Sequence, residues 1–78
     1  MATLAELRAA HEFLELSLTD LWIKYFAVGG NRDEIYIADY LNGARTDIDV
    51  VERDHIIDAL NDTFVDRGLD HPLTYGTT

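Results

Sequence analysis

Four aspartates, Asp54, Asp58, Asp62 and Asp66, recur at every fourth residue, and His55 stands beside the first of them. Carboxylates at helical spacing can dock a basic protein surface, stand in for a row of phosphates, or hold a divalent cation. No Lys or Arg lies three or four positions from any of the four. Like charges at that spacing each cost roughly a few tenths of a kcal/mol. A plain solvated face that keeps a small protein soluble is the alternative, although mixed signs would serve that purpose at lower cost. The expected ligand is a basic patch on another protein, with a cation as the lesser option. His55 reads as a solvent histidine on an acidic face, with a pH-responsive pairing to the carboxylates as the lesser option.

The remaining candidate chemistry is weaker. His11-Glu12-Phe13-Leu14-Glu15 resembles a zinc-protease helix, but the second histidine that motif needs is Glu15, and no third ligand is in view. Asp47, Asp49 and Glu52 invite comparison with a calcium loop, which wants glycine at its sixth position and glutamate at its twelfth. Counted from Asp47 those positions hold Glu52 and Asp58. Gly29 and Gly30 precede a helix start, yet no phosphate-binding fingerprint accompanies them, so helix termination is the better account. Ser17 and Thr19 have no adjacent base, and His71 in Asp70-His71-Pro72 reads as part of a turn. The expectation is a protein that is not an enzyme and has no cofactor and no metal.

Composition narrows the partners. The chain has 78 residues with 6 Lys and Arg against 15 Asp and Glu, a formal charge of −9. The six basic residues are scattered, which argues against direct nucleic-acid binding and against anionic membranes. The absence of cysteine excludes disulfides, thiolate zinc sites and iron–sulfur sites, and fits a cytoplasmic location. Residues 1–30 show no signal-peptide pattern, and the apolar stretch 18–30 contains Asp20 and Lys24 and is too short to span a bilayer.

The elements that must position these residues are helical. Thr3 with Glu6, Asn31 with Glu34 and Asp49 with Glu52 have the spacing of capping boxes, and Ser17 with Asp20 is a weaker start. Gly29–Gly30, Gly43 and Gly68 supply stops. This predicts one all-α domain over 1–78, with helices at 4–16, 18–28, 32–42 and 50–67, and an extended or frayed tail over 69–78. A strand over 34–40, where Ile35 and Ile37 alternate with polar neighbours, is the disfavoured alternative. Leu4, Leu7, His11, Leu14, Leu18, Leu21, Tyr25 and Val28 keep an unbroken three–four spacing. The first two helices could therefore be continuous, exposing a seam that favours a homodimer. A break at 17–19 would instead turn the seam into one internal core. The second helix is apolar nearly all round, so it is either central or docked to something. Its Ile23 and Phe26 point away from the Leu18, Leu21, Trp22, Tyr25 and Val28 face. The expected core is Leu7, Leu14, Leu18, Leu21, Trp22, Tyr25, Ile37, Leu41, Ile57, Leu60 and Phe64.

The run from Ser17 to Asn31, with its Leu21-Trp22, Tyr25-Phe26 and Gly29-Gly30 pairs, combines with Asp39-Tyr40-Leu41-Asn42-Gly43 and a later Ala59-Leu60-Asn61. Over residues 17–68 this resembles a set of small helical actinobacterial proteins of unassigned function. The resemblance implies a cytoplasmic helical module with a regulatory setting and assigns no catalytic residue. The leading expectation is a non-enzymatic acidic interaction module that docks a basic surface through Asp54, His55, Asp58, Asp62 and Asp66, with Ile23 and Phe26 as an accessory apolar contact. The alternative is a DNA mimic that occupies a nucleic-acid-binding partner. A helix-turn-helix DNA binder ranks last, because the helix that would read DNA is acidic.

Overall fold

The computed structural model describes residues 2–70 and Leu73. Four helices make up the fold, and no strand occurs among the described residues. Helix α1, Leu4–Leu14, opens on a complete capping box. The Glu6 N–H donates to Thr3 Oγ1 at 3.2 Å, and the Thr3 N–H donates to Glu6 Oε1 at 3.1 Å. Replacing Thr3 with Ala is expected to lower stability by about 1 kcal/mol, measurable as a fall in the urea midpoint. An unchanged midpoint would mean that this helix start contributes nothing to the folded state.

The first two helices are separate pieces. Glu15 turns the chain through the left-handed region at φ 55, the helix stops, and Ser17 caps α2, Leu18–Ala27, by accepting from the Asp20 N–H at 3.0 Å. The Arg67 guanidinium donates to the Leu14 carbonyl, one of the acceptors left open at the end of α1. The three–four seam thus folds back on itself. Leu7, Leu14, Leu21 and Tyr25 are fully buried within one chain.

Helix α3, Glu34–Leu41, starts two residues later than its spacing predicts, and its cap is Asp33 rather than Asn31. The Tyr25 hydroxyl accepts from the Asn31 N–H at 3.1 Å and from the Arg32 N–H at 2.9 Å, holding both residues in the turn before the helix. Asp33 caps the helix by accepting from the Tyr36 N–H. Helix α4, Val50–Asp66, is capped by Asp49 through the Val51 N–H at 2.8 Å. Glu52 does not close that box, because its carboxylate is engaged by Tyr25.

The central element is α4 rather than the strongly apolar α2. Ile56, Ile57, Ala59, Leu60 and Phe64 are buried between α1 and α2, while α3 packs on those two helices. Of α2 only Leu21 and Tyr25 are buried, with Trp22 and Leu18 half-covered. The expected core is otherwise found, enlarged by Ala2, Ala10, Tyr36, Tyr40, Ile56, Ala59 and Leu73. The expected tail lies partly outside the described residues; within it Leu73 is packed into the core rather than frayed.

Candidate functional site

The four aspartates do not share one face. A step of four residues advances 400°, so each aspartate is displaced by about 40° from the last, and the row winds about 120° around α4. Asp54 begins on the covered side and is only 8% exposed. Asp58 is half-buried, and Asp54 and Asp58 both engage partners inside the molecule. Asp62 and Asp66 emerge into solvent, and Asp66 Oδ2 lies 3.8 Å from Lys24 Nζ of α2. The expected outward stripe is therefore corrected to its C-terminal half. Helical spacing along α4 offers Asp66 no basic partner, but Lys24 reaches it from the neighbouring helix.

Ile23 and Phe26 are 53% and 58% exposed. Helical spacing explains their position: Leu21 and Tyr25 point to the core, which leaves Thr19, Ile23, Phe26 and Ala27 on the opposite side. Trp22 braces this face. Its indole N–H donates to the Arg32 carbonyl at 2.9 Å, and its ring stands 5.7 Å from that of Phe26. Asp20 and the Lys24–Asp66 pair form the other edge. The acidic end of α4 thus meets α2 along the Lys24 edge of its outer side, next to Ile23.

His55 takes no part in that surface. It is half-buried, with its ring edge-on to Tyr25 at 6.3 Å and its Nδ1 3.8 Å from Glu52 Oε1. Its carboxylate neighbour is Glu52, on the covered side, and not the outward acids. Tyr25, Glu52 and His55 form a polar cluster beneath Gly29 and Gly30. The Tyr25 hydroxyl donates to Glu52 Oε2 while accepting from the two turn amides, so its hydrogen-bonding capacity is full. Burial, followed by the bond to Glu52, pushes the Tyr25 phenol up from 10.0 to about 12. Gly29 runs at φ 113 against the His55 ring, and a side-chain carbon on Gly30 would clash with the Tyr25 ring at its Cζ end. This cluster locks the α2–α3 turn onto α4. The sequence held one signal for it: an acid, Glu52, on the same helical face as the buried Ile56 and Ala59.

The other sequence candidates have structural roles. Asp49 is a cap. His11 lines a shallow cleft of about 260 Å³ with Arg8, Glu12, Leu18 and Asn42. No group of three or more potential metal ligands occurs among the described residues. None of their helices is long and apolar enough to cross a membrane. No protein-family model matches the sequence, and no curated protein or solved structure is similar to it.

Proposed function

We propose that the chain is a non-enzymatic interaction module, regulatory in setting, that docks a basic protein surface. Its contact face is the outer side of α2, Ile23 and Phe26, bordered by Asp20, Asp62 and Asp66. The observation that carries this reading is the exposure of two large apolar side chains on a helix whose edge is tied to the acidic end of α4. Apolar anchors surrounded by charge are the arrangement of a protein contact, in which burial supplies affinity and the charged rim supplies steering. The net charge of −9 adds a long-range attraction for basic partners. Asp54, expected in this surface, is buried, and His55, half-buried, turns its ring to Tyr25 and Glu52, so the proposed face leaves both out. The actinobacterial resemblance agrees with a regulatory module but names no partner.

The test is retention of a basic partner from source lysate on the immobilised chain, with three variants in parallel. Ile23→Ser with Phe26→Ser is expected to reduce retention at least severalfold at every salt concentration. Asp62→Asn with Asp66→Asn is expected to reduce it chiefly at low salt, because exposed charges are screened at high salt. Glu12→Gln, on the far helix, is expected to behave as wild type. Equal retention by all three would overturn the reading. Competition by duplex DNA for the same partner would shift it to a DNA mimic.

A further inference from the structure

A second surface is defined by a different group. Asn61 lies on α4 and is 3% exposed, an expensive place for a carboxamide unless it is satisfied. Its Nδ2 donates to the Leu73 carbonyl at 3.0 Å, and its Oδ1 accepts from the Leu73 N–H at 3.2 Å. One side chain thereby pairs with both main-chain groups of one residue, as a neighbouring β-strand would. Such a pair recognises an extended backbone whatever side chain it carries. The side chain of Leu73 is buried, and it borders an open groove of about 400 Å³ lined by Glu6, Ala9, Ala10, Phe13 and Phe64. Phe13 stacks on Phe64 at 6.0 Å yet remains 65% exposed, so the apolar wall continues past Leu73. Leu69 and Asp70, just before the contact, are exposed.

We propose that the seat of Leu73 beside Asn61, together with the α1–α4 groove that it borders, is a peptide-reading site for a leucine-bearing segment of a partner, and that Leu73 fills the Asn61 end of it in cis as a resident competitor. Asn61 reads the backbone, and the small side chains of Ala9 and Ala10 leave room beside the Phe13–Phe64 wall for the leucine and its neighbour. Glu6 on the rim and the acidic net charge select a neutral or basic segment over an acidic one. Partner binding displaces Leu73 from Asn61. This surface is separate from the outer side of α2, and either can fail without the other.

The probe is a synthetic peptide with the sequence of residues 71–77, which carries no acidic residue. A tethered ligand competes at an effective concentration near the millimolar range, so wild type is expected to bind the free peptide weakly. In the full chain, Leu73→Ser weakens the resident contact, and the peptide is expected to bind roughly tenfold more tightly. Asn61→Leu added to that variant is expected to abolish binding, and so is a serine in place of the peptide's leucine. A second measurement does not depend on any variant folding. Millimolar peptide added to isotope-labelled wild type is expected to move the Leu73 backbone amide and the Asn61 side-chain amide signals together. Stationary signals at both positions, or binding that persists without Asn61, would overturn the proposal.

Discussion

Gly30→Ala is expected to destabilise the protein by about 3 kcal/mol or more, a large share of the total stability of a domain this size. The added carbon would clash with the Tyr25 ring at Cζ and its two neighbours. The ring has no room to retreat, since Tyr25 is fully buried and its hydroxyl is held by Glu52 and by the Asn31 and Arg32 amides. The chain must then shift at the α2–α3 turn, and the hydroxyl loses its partners. Urea denaturation should show the midpoint falling far below wild type. The same substitution in a Tyr25→Ala background should cost much less, because the obstacle has already gone. Equal costs in the two backgrounds would show that the ring does not lie beneath residue 30.

Tyr25→Phe should cost about 2–4 kcal/mol although it removes a single oxygen. The ring still fills its place, so the loss isolates the polar cluster. The buried Glu52 carboxylate loses its donor, and two turn amides lose their acceptor. The same oxygen gives an alkaline signature. The folded protein holds the phenolic proton more tightly than the unfolded chain, its value lying at about 12 against 10.0. The resulting stabilisation is complete below pH 10 and is lost as pH rises from 10 towards 12. Its full size is of the order of 3 kcal/mol. Other tyrosines titrate in this range, so the informative quantity is the gap between wild type and Tyr25→Phe. That gap should narrow as pH climbs from 9 to 11.5 across the onset of the about-12 titration. Parallel stability curves would refute the assignment.

The helices were legible in the sequence because their signals are local. Thr3 with Glu6, Ser17, and Asp49 each cap the helix they precede, and Gly43 and Gly68 follow α3 and α4 as expected. Errors arose where a distant group overrides a local one. Asn31 has a cap's spacing, but it lies in the turn whose backbone N–H groups donate to Tyr25, and Asp33 takes the role. Glu52 has a capping-box position, but a buried hydroxyl engages it. The aspartate spacing suggests one face, but a four-residue repeat is a slow spiral, so Asp54 and Asp66 end on different sides. The exposure of Ile23 and Phe26 was anticipated because both fall outside the helical face shared by Leu21 and Tyr25. The Asn61–Leu73 pairing carries no sequence pattern at all, since it depends on where the chain returns after α4.

The Leu14 carbonyl and the Tyr25 hydroxyl are completed by Arg67, which caps the last helix, and by Glu52 within it. Synthesis delivers these partners after everything they complete. A nascent chain with only its first three helices outside the ribosome has a corner without its clasp and a phenol without its acceptor. Such a chain gains little by settling early, and it should assemble in one step when α4 emerges rather than helix by helix.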